Sequence, residues 1–541
     1  MKLFQPKFFS IIKKYNGNKF ASDLVAGVIV AIIALPLSIA LAIASGVSPE
    51  KGLYTAIVAG FFIAFFGGSS VNISGPTAAF ATIVAGIVAQ YGTGGLVIAT
   101  IIAGILLILM GVFNFGALLK YIPYTITTGF TSGIAVTIVI GQLKDFMGLT
   151  YPDGTHAIET MEKLSAVFAS ISTVNWKAIM VGLIGLAILI VWPKISKKIP
   201  GSLIAVVVGV VVVKAFNIEV NTIGDLYTIS PQLPKFALPE LNLSAIRELI
   251  PSAFTIAVLA GIESLLSCVV SDEMVGDKHH SNTELIAQGI GNIASGLFGG
   301  IPATGAIART AANVKNGGRT PVAGMVHAVV LMLILVLLMP YAAWIPMPII
   351  AAILFMVAYN MSEWRHFVDI CKTAPHSDIF VLITTFVITV VFDLVFAIEI
   401  GMLMSAILFI KRMADVSNIR CWEESNGDDN LKEIPSGTAV FEFEGPMFFA
   451  TSEKFADFSV DDSINTVILR MHNVPALDAS AMRSLDAIFR ACKDKEIRLI
   501  LDHVNEQPLS VMKKAGFYHE VGEESFAATI DEALEIAATN E

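Results

Sequence analysis

The sequence predicts a polytopic α-helical membrane protein that ends in a soluble α/β domain, and three observations lead to this fold class. Hydrophobic residues make up 55% of the chain and charged residues 15%, and the mean hydropathy is +0.73, which excludes an ordinary soluble protein. The stretches 52–119 and 320–362 contain no Asp, Glu, Lys or Arg, and each is long enough for several spans of about 20 residues. Charged residues return after Arg412, where short apolar runs replace the long ones.

The N-terminal segment, residues 1–20, is predicted to be cytoplasmic. Basic residues accumulate on the cytoplasmic side of membrane proteins, and this segment carries Lys2, Lys7, Lys13, Lys14 and Lys19. The apolar stretch 24–47 that follows is much longer than the roughly 7–15 apolar residues of a signal peptide. We therefore interpret it as the first membrane segment.

Fourteen membrane segments are predicted within 21–415. They lie near 23–46, 51–67, 75–90, 95–113, 121–143, 177–193, 200–217, 246–271, 282–298, 304–315, 320–340, 346–361, 378–393 and 396–412. The third and the tenth are half-helices that follow stretches broken by glycine and proline. An even number of segments places both termini on one side, and the long loops 144–176 and 218–245 then carry acidic residues on the other side.

A faint internal repeat relates the two halves of the membrane part. ISGPTAAFATIV and IPATGAIARTAANV each follow an apolar helix pair and a double glycine, at an offset of about 230 residues. Because seven segments per half is an odd number, the halves are predicted to lie inverted in the membrane.

The C-terminal region is predicted to be a linker, 416–435, followed by a compact α/β domain, 436–541. TAVFEFEG alternates in the manner of a strand, and INTVILRM and IRLILDH are typical of buried strands. DASAMRSLDAIFRACKDK lies between the buried strands and predicts an amphipathic helix, and a last helix is predicted near 529–539.

Glu263 and Arg309 are charged residues inside otherwise apolar segments. A charge at bilayer depth costs roughly 2.5–3.5 kcal/mol, so such residues usually face a cavity or a partner. Arg309 follows the broken stretch GGIPATGAIART, and a similarly broken stretch, GGSSVNISGPTAAF, lies in the first half. Because broken helices at membrane depth usually line a binding site, the pattern predicts a polar midplane site that handles anions.

The chain resembles the sulfate permease (SulP-type) anion transporters. Four stretches carry the resemblance: ALPLSIALAIASGVSPEKGLYTA, ISGPTAAF, GIESLLSCVVSDEM and GGIPATGAIARTAANVKNGGRTPVAG. NVPALDASAMRSL is similar to the core of a STAS domain, so the resemblance covers essentially the whole chain.

The resemblance implies a uracil-permease-like fold of seven plus seven inverted segments. A core domain, 21–113 and 246–340, would move against a gate domain, 121–217 and 346–412, in the manner of an elevator. The family also implies a homodimer and a cytoplasmic STAS domain.

The resemblance further implies that the third and tenth half-helices meet near the midplane with the anion between them. Helix N-termini offer unpaired N–H donors and the positive end of the dipole. The predicted substrate-binding residues are Ser74, Gly75, Thr77 and Ala78 on the third segment and Thr304, Gly305, Ala306 and Arg309 on the tenth. We expect Gly305 to admit the ligand to the backbone and Arg309 to supply fixed positive charge. The alternatives are a Gly-Pro kink capped by Thr77, and an arginine that only pairs with Glu263 or extends toward the cytoplasm.

Glu263 and Ser267 lie one helical turn apart and form the predicted coupling-ion site. In the family a carboxylate here serves the coupling ion, and we expect Glu263 to carry a symported proton. Some bicarbonate-transporting relatives bind sodium with an Asp at this position, a hydroxyl four residues on and no arginine on the tenth segment. This chain has the hydroxyl, as Ser267, but keeps Arg309, which disfavours a bound cation. A purely structural Glu–Arg pair is the remaining alternative.

The first membrane segment and the STAS domain each contribute further candidates. Four residues of the first segment are expected to line the cavity, with a substrate contact at the serine: Pro36, Leu37, Ser38 and Leu41. Many relatives have glutamine in place of Leu37, so one polar contact is missing here. Ser480 matches the serine that is phosphorylated in anti-sigma antagonist relatives, and its alternative role is an N-cap for a helix beginning near Ala481.

The sequence therefore predicts an inner-membrane secondary active transporter, with proton-coupled uptake of sulfate or another inorganic anion as the leading function. Sodium-coupled bicarbonate symport and proton-coupled C4-dicarboxylate symport are alternatives. Rivals of another class are an uncoupled anion channel or exchanger and a membrane sensor that signals through the STAS domain. Because no nucleophile–base pair, metal cluster, phosphate loop or nucleic-acid motif occurs, we expect no enzyme activity, cofactor, metal or nucleic-acid partner. The expected partners are the anion, the proton, the lipid bilayer and a second copy of the chain.

Overall fold

In the computed structural model the chain forms two compact units, Met1–Met402 and Leu403–Glu541. The structure describes residues 4–117, 123–152, 157, 159–196, 199–239, 243–392, 394–422, 434–452, 454 and 463–539. Most of the predicted linker, residues 423–433, lies outside these ranges, as does Lys2.

The first unit is built of helices, since a bilayer leaves backbone N–H and C=O groups no partner outside their own segment. In chain order they are α1 (Lys7–Ile11), α2 (Gly17–Ala44), α3 (Pro49–Phe66), α4 (Ala81–Val112), α5 (Tyr124–Met147), α6 (Thr160–Ala169), α7 (Trp176–Ile195), α8 (Gly201–Ala215), α9 (Ile223–Leu226), α10 (Leu243–Val275), α11 (Ser281–Leu297), α12 (Ile307–Lys315), α13 (Pro321–Ala342), α14 (Met347–Ser362), α15 (Trp364–Thr373), α16 (His376–Val391) and α17 (Leu394–Val416). Eight helical stretches among the described residues are long and apolar enough to cross a membrane. Each of the fourteen predicted segments overlaps one of the helices, and the third and fourth share α4.

Gly92 separates the third and fourth predicted segments within α4. Its φ of 67° and ψ of −172° interrupt the helix, a conformation that glycine adopts without strain. The first part of α4 is therefore a short helix, as the sequence predicts for a half-helix.

The two broken stretches form short strands that pair with each other. β1 (Ser74–Gly75) and β2 (Thr304–Gly305) are antiparallel, the direction that two inverted halves produce. The half-helices consequently begin later than the predicted residues 75 and 304. A 3₁₀ helix, Ala78–Phe80, leads into α4, and α12 begins at Ile307. Pro76 contributes to this delay because a proline disfavours helical conformation in the residue before it.

Glycines allow α4 and α11 to pack closely. A methyl group on Gly104 would lie 2.7 Å from the carbonyl oxygen of Gly289 and 2.7 Å from Cγ1 of Ile293. Small residues at such crossings are typical of membrane helices, because they let the backbones approach. The contact fixes α11 beside the elements that build the site.

The second unit contains a five-stranded sheet of order β3–β4–β5–β6–β7. Its elements are β3 (Asn418–Cys421), β4 (Thr438–Glu444), β5 (Thr466–Asn473), α18 (Ala479–Asp494), β6 (Arg498–Asp502), α19 (Glu506–Lys514), α20 (Phe517–Val521), β7 (Phe526–Ala527) and α21 (Ile530–Ala538). The first pair of strands is antiparallel and the others are parallel. Alternating apolar residues bury one sheet face against α18 and the other against α21.

The structure differs from the predicted C-terminal organisation in two places. β3 lies inside the predicted linker 416–435, because its backbone pairs with β4, so any linker begins after it. The division between the compact units falls within α17 rather than at 415. Lys454 donates to the carbonyl oxygens of Ala414 and Ser417, so the last turn of α17 packs with the second unit.

Candidate anion site

The pairing of β1 and β2 brings the two sets of predicted substrate-binding residues together. Ser74 lies opposite Gly305 and Gly75 opposite Thr304, and the Ala306 N–H donates to the Ile73 carbonyl oxygen over 2.8 Å. Because the strands are antiparallel, the helices that follow them leave this pair at opposite ends.

Both helix beginnings lack a side-chain cap. Thr77 precedes the 3₁₀ helix and Ala306 precedes α12, and neither side chain bonds to the first turn. In contrast, Asn16 and Thr320 cap α2 and α13. Uncapped first turns keep N–H donors and the positive end of the helix dipole, which suits an anion. The Thr77 side chain therefore does not cap the helix, which was its alternative role.

Arg309 is buried against the backbone of β1. Only 4% of the residue is exposed, Nη2 donates to the carbonyl oxygen of Pro76, and Nη1 has no hydrogen-bond partner among the described residues. A methyl group on Gly75 would lie 2.5 Å from Nη1, so a side chain at position 75 would displace the guanidinium from this place. A buried cationic donor without a partner is a natural contact for an oxyanion.

Glu263 is joined to the third segment rather than to the arginine. Its Oε2 accepts a hydrogen bond from Thr77 Oγ1 over 3.1 Å, and both residues are half-buried. Within the described residues Glu263 and Arg309 form no ion pair, which removes the alternative of a purely structural Glu–Arg pair. The acid, the hydroxyl and the guanidinium instead surround the start of the first broken helix.

Thr304 and Gly305 support the site with polar groups that already have partners. The Thr304 hydroxyl bonds to Ser264 Oγ over 2.7 Å and to the Ala260 carbonyl oxygen over 3.0 Å, and the Gly305 N–H donates to Ser264 Oγ over 3.0 Å. A methyl group on Gly305 would meet Asn72 Nδ2 at 2.8 Å. The absence of a side chain at Gly305 therefore makes room for Asn72 and Ser264. The sequence instead predicts that it makes room for the ligand.

Ser74 and Ser267 belong to a polar cluster behind the strands. Ser74 Oγ accepts from Gln288 Nε2 over 3.0 Å, and Ser267 Oγ donates to Asn72 Oδ1 over 2.8 Å. The sequence predicts that Ser267 shares an ion with Glu263, but the Ser267 hydroxyl donates to Asn72 Oδ1 and Thr310 Oγ1. The coupling role of Ser267 is therefore not supported by its contacts.

The first-segment candidates differ in exposure. Pro36, Ser38 and Leu41 are buried and Leu37 is half-buried. Ser38 Oγ has no hydrogen-bond partner in the part of the chain that the structure describes. Leu41, which is 3% exposed, is apolar packing rather than a specific contact.

Sequence reasoning missed the buried acid Glu284 and its neighbours Asn72 and Gln288. Each of these three side chains is at most 6% exposed, and Glu284 accepts four hydrogen bonds. An acid inside the predicted ninth segment, 282–298, was the signal that could have found it.

In the second unit, Asp478 rather than Ser480 caps α18. Its Oδ1 accepts from the N–H groups of Ser480 and Ala481 over 2.9 Å each, and α18 begins at Ala479. Asp478 is the N-cap because it stands one residue before the helix, where its side-chain oxygen can accept from N–H groups of the first turn. The predicted cap at Ser480 is therefore wrong, and its phosphorylation stays a prediction.

Known family models and relatives match most of the chain. The model of the sulfate permease family matches residues 20–385, and that of the STAS domain matches residues 431–533. The chain is 41% identical over 531 residues to YvdB of Bacillus subtilis, provisionally named a sulfate transporter, covering 97% of this chain and 99% of YvdB. It is 29% identical over 551 residues to the bicarbonate transporter BicA of Picosynechococcus, covering 97% and 96%.

The fold is similar to that of murine Slc26a9, an anion transporter. The TM-score is 0.89 at 18% identity, over 98% of this chain and 94% of that protein. At this identity the likeness concerns the fold alone.

Proposed function

Because the chain belongs to the sulfate permease family of anion transporters and ends in a STAS domain, we propose that it takes up sulfate together with a proton. The observation that carries the proposal is the placement of Arg309 and Glu263 at the start of the first broken helix, where Arg309 bonds to Pro76 and Glu263 to Thr77. The family is one of transporters, not of enzymes.

The donor groups favour an oxyanion with several acceptor oxygens. Arg309 Nη1 has no hydrogen-bond partner among the described residues, and the first N–H groups after Thr77 and after Ala306 lie in turns without a side-chain cap. Donors of this kind suit an oxyanion, because its several oxygens can each accept a hydrogen bond. YvdB, at 41% identity and provisionally named a sulfate transporter, supports sulfate as the first anion to test. A C4-dicarboxylate presents similar oxygens and is the next.

Glu263 is the acid that we propose to carry the proton. Asp23 accepts from the N–H groups of Arg319 and Thr320 and from two hydroxyls, and Glu284 has four donors. Among the described residues, Glu263 accepts from Thr77 alone. Hydrogen bonds to a carboxylate favour its charged form, and Glu263 has fewer of them than Asp23 or Glu284 in the described part of the chain.

Sodium-coupled bicarbonate transport is the second candidate, favoured by the 29% identity to BicA. A sodium ion requires several oxygen ligands, yet Ser267 Oγ is bonded to Asn72 and Thr310, and the cationic Arg309 lies nearby. These contacts support proton coupling over sodium coupling.

The remaining parts of the proposal follow the family. The core, 21–113 and 246–340, would carry the site past the gate, 121–217 and 346–412, in an elevator movement. We propose a homodimer in the inner membrane with the N-terminus and STAS domain in the cytoplasm. The lysines of the first 20 residues and the acidic long loops support this orientation.

The test is uptake of radiolabelled sulfate, bicarbonate and fumarate into proteoliposomes that contain the purified chain. Each anion is offered with an inward proton gradient or an inward sodium gradient, for wild type and for Glu263→Gln. We expect proton-driven sulfate accumulation that the variant loses while it keeps sulfate exchange.

Other outcomes would redirect the assignment. Sodium-driven bicarbonate accumulation would favour the second candidate and overturn the role of Glu263. Flux that ignores both gradients and survives Glu263→Gln would indicate a channel or exchanger. Loss of a cellular response, but not of uptake, on deletion of 436–541 would indicate a sensor.

A further inference from the structure

Glu284 is a fully buried acid on the first turn of α11, behind β1. Its Oε2 accepts from the N–H groups of Gly68 and Ser69 over 2.8 and 3.2 Å, and its Oε1 accepts from Asn72 Nδ2 and Gln288 Nε2 over 2.8 and 3.0 Å. Four donors thus surround one carboxylate. Burying a charge is costly unless such donors compensate it, and here the four hydrogen bonds stabilise the buried carboxylate.

Asn72 extends these contacts to the other half of the chain. Its Oδ1 accepts from Ser267 Oγ over 2.8 Å and from Thr310 Oγ1 over 3.0 Å. Thr310 in turn accepts from the Ile73 N–H over 2.9 Å. Residues of α10, α11 and α12 therefore hold the stretch that leads into β1.

Gln288 holds the strand itself. Its Nε2 donates both to Glu284 Oε1 and to Ser74 Oγ, over 3.0 Å each. Ser74 is the first residue of β1, and the next two residues, Gly75 and Pro76, form the surface against which Arg309 lies. A shift of residues 68–74 would therefore move the backbone that the Arg309 guanidinium contacts.

We propose that Glu284 is a positioning residue for the anion site. It sets the placement of β1, and through β1 that of Arg309, without exchanging the coupling proton. The proposal rests on the proposed anion site at Arg309. Within the described ranges Glu284 accepts from four donors and Glu263 from one, which distinguishes the two acids.

The direct test is Glu284→Gln in proteoliposome uptake of sulfate. The variant keeps the side-chain shape but turns one acceptor oxygen into a donor, which then faces the donors of the loop or of Asn72 and Gln288. We expect roughly a tenfold rise in KM, the effect of losing one hydrogen bond to a charged group, with an unchanged proton-to-sulfate ratio. Glu273→Gln, an exposed acid on α10, is the matched control and should behave as wild type.

The double variant Glu284→Gln with Asn72→Asp tests the polarity of the contact. The amide at 284 can then donate to a carboxylate at 72, which still accepts from Ser267 and Thr310. We expect the double variant to recover most of the lost affinity. Asn72→Ala leaves the loop contacts of Glu284 intact and should raise KM on its own if Glu284→Gln fails to fold.

Hydrogen-exchange mass spectrometry gives a readout that does not depend on transport. Peptides covering residues 66–77 should exchange faster in Glu284→Gln, while peptides of α5 and α7 should not change. If the wild type transports none of the anions, the proposed function fails, and hydrogen exchange still tests the placement of β1. Unchanged exchange at 66–77, an unchanged KM, or loss of proton coupling at constant KM would each overturn the positioning role.

Discussion

The hydroxyl of Thr77 donates a hydrogen bond to Glu263 Oε2 over 3.1 Å, across 186 positions of sequence. The bond joins the residue before the first broken helix to the acid of α10, and therefore one half of the chain to the other. Arg309 reaches the same segment from α12 by bonding to Pro76. The acid and the base thus meet on the third segment instead of pairing with each other.

Thr77→Val should impair proton-driven uptake. Valine has nearly the same shape but cannot donate, so Glu263 would lose its hydrogen bond at a cost of about 1–3 kcal/mol. We expect roughly a tenfold loss of proton-driven sulfate accumulation, measured in proteoliposomes, with Thr77→Ser close to wild type. Equal activity of the valine and serine variants would contradict a role for this hydrogen bond.

Arg309→Lys should not preserve transport. A lysine supplies the charge but neither the planar fork nor the bond geometry to Pro76, so the substitution is not conservative at this place. We expect at least about a tenfold fall in sulfate uptake, corresponding to 1.4 kcal/mol or more. Arg365→Gln, an exposed position on α15, is the control. Wild-type uptake in Arg309→Lys would show that charge alone is sufficient.

Gly75→Ala should displace the guanidinium of Arg309. The added methyl would lie 2.5 Å from Nη1, closer than such carbons approach other atoms. We expect uptake to fall while the folded protein still elutes as wild type in size-exclusion chromatography. Gly86→Ala on α4, where a methyl meets nothing within 4 Å, is the matched control. A similar effect of both substitutions would argue for general disruption of this region.

Gly104→Ala should lower stability more than it lowers affinity. The methyl would press on the Gly289 carbonyl oxygen of α11, and overpacking of this kind costs about 1–3 kcal/mol. Thermal unfolding in detergent measures the effect, against Gly141→Ala, where the space is open. A wild-type unfolding temperature for Gly104→Ala would mean that the two helices can separate freely.

Asp502 should make the stability of the second unit depend on pH. Burial raises the pKa of Asp502 above 3.8, against the opposing charge of Arg470, and neither carboxylate oxygen has a hydrogen-bond partner among the described residues. The folded chain therefore binds this proton more tightly than the unfolded chain does. The contribution of Asp502 to stability is present below pH 3.8 and is lost as the pH rises through the raised folded value.

Scanning calorimetry of the full chain between about pH 4 and pH 8 tests this dependence. Asp502→Asn should flatten the loss of stability with rising pH and increase stability at the alkaline end. Asp486→Asn, whose partly exposed carboxylate pairs with Arg490 at 2.9 Å, is the control. An unchanged pH dependence in Asp502→Asn would refute the assignment.

The sequence was sufficient for the fold class, a polytopic helical membrane protein with a STAS domain, which is confirmed. Apolar runs and charge asymmetry are local signals that a bilayer enforces on every segment. Glu263 and Arg309 were found for the same reason, since a charge in an apolar run is visible without any contact. The short elements β3, β7, α19 and α20 carry no comparable pattern and were missed.

Hydrogen-bond partners could not be predicted, because they depend on residues far apart in the chain. The sequence predicts a ligand contact for Thr304, but its hydroxyl bonds to Ser264, 40 positions away. Ser267 shares a helix face with Glu263, but Asn72 from the other half takes its hydroxyl. Spacing along one helix shows on which face of the helix a side chain lies, but not which group from another element bonds to it.

The antiparallel pairing of β1 with β2 also constrains how the protein is made. β2 follows β1 by about 230 residues, which a ribosome needs roughly 10–50 s to add at 5–20 residues per second. During that interval the polar backbone of β1 lacks its strand partner, and Arg309, which follows β2, is not yet synthesised. The candidate site is therefore assembled late in biogenesis, when the second half of the membrane part has been inserted beside the first.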